Sequence, residues 1–298
     1  MIKTGQRIFY LAIKEEKVLA CVDRSQFAEH VTDYGAWAAQ RIGLPLELLH
    51  VIDRHPEVAR DTDHSGAIGI GAQEQLLNTL SDSDEMRTRS AREQGRVFLN
   101  ALRERAEAAG AKQTDTRQRL GELQSTLSEQ EPLVSLFVLG RRGRSAETTQ
   151  RDMGRNVERV VRALRKPILT VTDQFTEPRR ALIAFDGGSM TRRGVEMIAG
   201  SKLFRGLPMH LVLSGKPARD AEKQLEWAKT TLEAAGYEAE AAIIPGDAER
   251  IIAEELITRE ADILIMGAYG HSFMRTLFMG SKTSDLLRSA RVPTLLLR

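Results

Sequence analysis

A single cysteine, Cys21, stands among 298 residues, so no disulfide can close within the chain. Cys21 falls inside the apolar run KVLACVD, which reads as a strand, and there it is a reduced, packed thiol rather than a redox centre. Aromatic residues are scarce at 5%, which leaves little for a base-stacking platform. An excess of one charge is also missing: 43 basic against 41 acidic residues give a net charge of +2, so nucleic acid is not an expected partner. No apolar run reaches the roughly 18 residues of a membrane span. The early stretch IFYLAI is too short for a signal segment and runs directly into KEEK, so a cytoplasmic chain with no membrane partner is expected.

What is present, 42% hydrophobic and 28% charged residues, suits a water-soluble globular protein, and the length suits two domains. An internal repeat organises them. VLACVD ends at Asp23 and ALIAFD at Asp186, and each is followed at the same distance by Gly-Leu-Pro, at Gly43 to Pro45 and at Gly206 to Pro208. These matches are 163 residues apart. Further on, Ala108-Ala109-Gly110 matches Ala234-Ala235-Gly236 and Pro167 matches Pro293 at 126, while Gly140 and Gly143 match Gly267 and Gly270 at 127. The first copy therefore carries about 37 extra residues between Pro45 and Ala108.

Strand and helix signals alternate within each copy, which predicts an α/β fold of two tandem, doubly wound, open parallel five-stranded sheets. Strands are expected near Lys17–Val22, Leu46–Ile52, Thr116–Leu120, Ser135–Leu139 and Ile168–Val171, then near Arg180–Phe185, Met209–Leu213, Ala239–Ile244, Ile263–Met266 and Thr294–Leu297. Apolar spacing of three and four predicts helices over Ala221–Ala235 and Ala248–Arg259. The expected division is 1–172, a polar linker over 173–179, and 180–298. In such sheets ligands bind beyond the carboxyl ends of the strands, where Asp186 and Gly267 both fall.

The insertion, about 53–90, opens with DRHPEVARDTDHSGAIGIGAQ, whose polar residues and glycines read as a mobile loop able to gate the first site. Asp53, His55, Asp61, Asp63 and His64 lie there without a recognised ligand spacing, so no metal is assigned. A long helix follows, with Leu76, Leu77, Leu80, Val97, Phe98, Leu99 and Leu102 expected to cover the core.

The most informative stretch is Ile263 to Leu297. Gly267, Gly270, Gly280 and Ser281 follow a G-x2-G-x9-G-S spacing between two apolar strands, and Ser281 is placed to cap a helix over Lys282–Ser289. Unpaired N–H groups at such a helix start favour an anion. This is neither a Walker A loop nor a dinucleotide fingerprint. It resembles the G-x2-G-x9-G-[S/T] nucleotide loop of the universal stress protein family, and the resemblance extends through most of the chain.

The resemblance implies an ATP- or AMP-binding protein, with or without Mg²⁺, whose two domains pair through their last strands as a pseudo-dimer; a homodimer of the whole chain stays open. It implies that Asp186 contacts the nucleoside, that Leu213 and Ser214 offer backbone groups to the adenine edge, and that Met266 and Gly267 end the fourth strand. Gly270, His271 and Ser272 would begin the phosphate loop, and Gly280 and Ser281 would cradle phosphate oxygens. His271 stands where many members have Arg, and Lys282 where a small aliphatic residue is common. The plainer alternatives stay open: Asp186 as a cap on the Gly-Gly-Ser turn after it, His271 as an ordinary loop residue, Lys282 as a solvated side chain.

The first copy departs further. Asp23, Val51, Gly140 and Gly143 keep family-like positions, but ten residues rather than nine precede Gly154, and Arg155 and Asn156 follow it in place of a small hydroxyl residue. Arg141, Arg142 and Arg144 offer charge to an anion or form an exposed basic loop. One competent site and one degenerate site are expected. No nucleophile–base pair or paired-carboxylate arrangement is evident, so no catalytic residue is assigned and ATP hydrolysis, if present, would be slow. The alternative is a partner-binding scaffold of the same fold whose glycines serve only turns.

Overall fold

The computed structural model describes residues 16–52, 72–141, 155–172, 174–215, 219–267 and 292–298, the side chains of 72–88, 155, 156 and 158 excepted. The first half runs β1 (Lys17–Cys21), α1 (Ala28–Ile42), β2 (Leu46–Ile52), α2 (Ala72–Ala108), β3 (Thr114–Leu120), α3 (Leu123–Gln130), β4 (Val134–Gly140), α4 (Arg155–Ala163) and β5 (Ile168–Val171). The second half repeats it with β6 (Ala181–Ala184), α5 (Ser189–Gly200), β7 (Met209–Gly215), α6 (Ala221–Ala234), β8 (Ala239–Pro245), α7 (Ala248–Thr258), β9 (Ile263–Gly267) and β10 (Thr294–Leu297).

Strand sequence follows strand position. Central strands such as β9, ILIMG, are apolar and buried along their whole length because helices cover both faces. The edge strand β3, TDTRQRL, alternates half-buried and exposed residues, and it begins two residues earlier than its apolar pattern suggests. The repeat extends to the backbone: Gly43 and Gly206, after α1 and α5, take φ of +82° and +84°, a left-handed conformation that glycine adopts without strain.

The strand order is β3-β2-β1-β4-β5-β10-β9-β6-β7-β8, so the two expected five-stranded sheets form one ten-stranded sheet. Within each half every neighbouring pair is parallel. At the seam β5 and β10 run antiparallel, with Thr170 opposite Thr294 and Leu169 opposite Leu295. This arrangement removes two apolar strand edges from solvent. Each half is wound in the order third, second, first, fourth, fifth, so the winding reverses between β1 and β4 and again between β6 and β9.

Two hydrophobic cores, one on each face of the sheet, extend through both halves. Val18, Tyr34, Trp37, Phe204 and Leu295 belong to one, and Leu19, Phe137, Leu182, Leu264 and Leu296 to the other. The linker is held by side chains of α1. The Thr176 amide donates to the Tyr34 hydroxyl at 3.2 Å, and Phe175 meets the Tyr34 ring edge-on at 4.8 Å between centroids. Trp37 lies 6.4 Å from Phe204, and Arg41 Nε donates to the Leu203 carbonyl at 3.1 Å.

Three expectations need revision or fall outside the described residues. Arg141 is not part of an exposed basic loop. It is buried, and its Nη2 donates across the seam to the Val292 carbonyl at 2.9 Å and to Thr294 Oγ1 at 3.3 Å. On α2, Leu99 and Leu102 are buried and Phe98 packs against them, but Val97 points to solvent. Asp53, His55, Asp61, Asp63 and His64 lie outside the described residues.

Candidate functional site

At the reversal point of the second half, β6 leads through buried Phe185 to exposed Asp186. Asp186 Oδ1 accepts the Gly188 amide at 2.9 Å and the Thr191 hydroxyl at 2.6 Å, an Asx turn that launches α5. Gly187, at φ +74°, allows the chain to turn there. The helix start itself has no side-chain cap at Gly188.

The neighbouring strand β9 delivers Met266 and Gly267, both buried, to the same corner. A Cβ on Gly267 would stand 3.4 Å from Thr191 Cγ2 and 3.5 Å from Met190 Sδ, so this backbone passes directly over the first turn of α5. Thr191 therefore joins the two strand ends, its hydroxyl on Asp186 and its methyl beside Gly267. Nothing in the sequence singled Thr191 out; a hydroxyl five residues after the strand-end aspartate is the signal that would have found it. On the other flank β7 ends with buried Leu213, half-buried Ser214 and Gly215. Gly270, His271, Ser272, Gly280, Ser281 and Lys282, with the helix expected over Lys282–Ser289, lie outside the described residues.

The first half repeats the corner with different side chains. Asp23 Oδ1 accepts the Ser25 amide at 3.1 Å and also the Ser25 hydroxyl, the same Asx turn. Where the second half has Gly187, the first has Arg24, whose Nη1 donates to Gln94 Oε1 of α2 at 2.9 Å. Where the second half has Leu213, the first has His50. Its Nδ1 lies 2.9 Å from the Val22 carbonyl, which can only accept, so Nδ1 carries the proton. The ring meets Phe98 edge-on at 5.5 Å. Val51 is half-buried, Gly140 ends β4, and Gly143, Arg144 and Gly154 lie outside the described residues. Beside Asp23, burial first and then the aspartate charge push the Cys21 thiol up to about 12, so it stays protonated and unreactive at neutral pH.

Two clusters around buried ionisable groups, Glu47 and His210, sit at the opposite, amino-terminal ends of the strands. Glu47, second in β2, accepts from Lys17 Nζ at 2.9 Å and pairs with Arg117 Nη2 at 3.0 Å. His210, second in β7, lies 3.1 Å from Glu255 Oε2, and Arg259 pairs with Glu240 at 2.9 Å and with Glu255 at 3.3 Å. Burial and then the Arg259 charge hold the His210 ring below the usual histidine range, against the opposing pull of Glu255 and Glu240. The first cluster joins three strands and, through Lys17 Nζ donating to Gln130 Oε1 at 3.2 Å, the end of α3; the second ties α7 to β7 and β8. Among the described residues no group of three or more His, Cys, Asp or Glu is placed to hold a metal ion. A strand-end carboxylate with Oδ2 free of hydrogen bonds to described residues, beside an uncapped helix start, is equipped to bind a polar ligand.

The model of the universal stress protein family matches residues 15–172 and again 178–298. The universal stress protein Slr1230 of Synechocystis sp. is 32% identical over 286 residues, spanning 95% of this chain and 100% of its own. Among solved structures, a universal stress protein from Archaeoglobus fulgidus aligns with a TM-score of 0.66 at 18% identity, covering 95% of this chain and 96% of that one. A protein of unknown function from Pseudomonas aeruginosa aligns with a TM-score of 0.54 at 16% identity, covering 95% and 92%. At these identities the structural likeness speaks for the fold.

Proposed function

The chain belongs to the universal stress protein family, and from that premise we propose that it binds ATP or a related adenine nucleotide in the crevice of its second half. What supports this reading above all is the corner where Asp186 and Gly267 meet through Thr191, at the reversal of strand order, directly ahead of the Gly267, Gly270, Gly280, Ser281 spacing. Asp186, held through Oδ1, presents Oδ2 to a ribose hydroxyl. Leu213 and Ser214 offer backbone groups to the base. Gly270, His271, Ser272, Gly280, Ser281 and Lys282 surround the phosphates, with or without Mg²⁺.

The two domains, 1–172 and 180–298, act as one pseudo-dimer that senses the nucleotide in the cytoplasm and passes its state to partners. No helix among the described residues is long and apolar enough to cross a membrane. The first crevice, with Arg24 tied to Gln94 and His50 tied to Val22, is the degenerate one. Gly270→Val places a branched side chain in phosphate space and is expected to abolish ATP and AMP binding in calorimetry while thermal unfolding stays that of the parent. Undiminished affinity in that variant would contradict the reading.

One observation favours a second reading, a scaffold without nucleotide: both strand-end aspartates already close Asx turns with the residue two ahead. A scaffold binds neither ATP nor AMP, so the same titration separates the two. Slow Mg²⁺-dependent ATP hydrolysis would show as phosphate release that disappears with Ser281→Ala or Asp186→Ala.

A further inference from the structure

We infer that the outer flank of the first half carries an anion site distinct from either nucleotide crevice, suited to a phosphate-class ligand with at least two negative charges. A cleft of about 520 Å³ opens between α2 and the edge strand β3, within the size range of small-molecule sites. Its wall is Arg89, Arg92 and Arg96, spaced by three and four along one face of α2. Its floor is Thr116 and Gln118, alternate residues of β3 that share one face, together with buried Leu99.

The charges are unevenly committed. Glu93 Oε1 accepts from Arg96 Nη2 at 2.8 Å and its Oε2 from Arg96 Nε at 3.2 Å, so that pair is self-contained. Arg89 and Arg92 have no carboxylate partner among the described residues. Two guanidinium forks on one rim are what a phosphate or pyrophosphate group can engage with parallel N–H donors. The floor is shaped for approach as well. Gly95 has no side chain to collide with the Gln118 amide, which lies against the helix with Nε2 donating to the Arg92 carbonyl at 3.1 Å.

The repeat supplies an internal control. If the cleft were a by-product of the fold, the second half would carry it too. There Glu222 stands at the position of Arg96, and Ala241 and Ile243 stand on β8 where β3 has Thr116 and Gln118. At the same spacing Arg89 and Arg92 fall on Gly215 and Ala218, so the second half's sequence offers neither arginine nor the polar floor, and the pair lies on the half whose own loop lacks a small hydroxyl residue after Gly154.

Titrating sodium pyrophosphate into the full chain at low salt, with and without saturating AMP, tests the site. The expected result is saturable binding that persists with AMP bound and in Gly270→Val. It should weaken by about tenfold or more when Arg89→Ala and Arg92→Ala are combined. Glu93→Gln, which releases Arg96 and removes the carboxylate of the described lining, should tighten it several-fold, a gain that misfolding cannot mimic. No saturable binding, binding indifferent to the two arginines, or binding displaced by AMP would each overturn the proposal. The last of these would leave the nucleotide crevice standing as the phosphate site.

Discussion

The two halves follow one chain course and part at the mouths of their crevices. In the second half, Asp186 is followed by Gly187 and Gly188, Thr191 supports the carboxylate, and the adjoining strand ends in Leu213 and Ser214. In the first, Asp23 is followed by Arg24 and Ser25, Arg24 is tied to α2, and His50 is tied to the carbonyl of Val22, the residue after β1. The backbone turn is the same and the rim is not. Duplication preserved what the sheet requires, while at the rim Arg24 and His50 stand in one half where Gly187 and Leu213 stand in the other. The buried polar clusters at the other strand ends diverged too, with Glu47 and two cations in one half answered by His210, two carboxylates and Arg259 in the other.

The largest effect should come from those clusters. Glu47→Leu leaves buried Lys17 without its carboxylate and is expected to cost about 3–5 kcal/mol in urea unfolding. His210→Leu, replacing a neutral ring, should cost clearly less. Equal losses would erase the difference between the clusters.

Next in size is the crevice comparison itself. Asp186→Ala should weaken nucleotide binding by about tenfold or more, worth about 1.4 kcal/mol, whereas Asp23→Ala should leave the affinity unchanged. A larger loss from Asp23→Ala would place the working site in the wrong half.

A smaller effect concerns pH. The folded His210 sits below its ordinary range near 6.5, so between that value and its folded pKa the unfolded chain binds more protons. Stability should therefore fall as pH drops from about 6.5 toward the folded pKa and then level off in this contribution. His210→Gln should remove that component of the slope, read from urea midpoints across the range. Smallest is Thr191→Val, which deletes one hydroxyl bond to Asp186 Oδ1 at nearly constant shape. It should lower nucleotide affinity by a few-fold, about 0.5–1.5 kcal/mol.

Much of the fold was legible because its determinants are local or repeated. Apolar runs with closely defined ends marked β2, β5 and β10 to the residue, and the repeated Gly-Leu-Pro fell immediately ahead of β2 and β7. Asp186 and Gly267 were legible as strand ends. The rest depends on distance along the chain. Arg141 read as loop charge because its partners, Val292 and Thr294, lie about 150 residues away and become neighbours only when the seam forms. Thr191 gave no signal because its role needs two strand ends side by side. Nothing in the sequence marked His50, whose partners Val22 and Phe98 come from other segments.

The most direct test of one working and one lapsed crevice is the stoichiometry of ATP and AMP binding to the intact chain, measured by calorimetry with and without Mg²⁺ after any co-purified nucleotide has been released and identified. One nucleotide per chain, with micromolar affinity of about 8 kcal/mol that is lost in Asp186→Ala and kept in Asp23→Ala, is the predicted result. Two equivalent nucleotides per chain, or none from a nucleotide-free preparation, would contradict it.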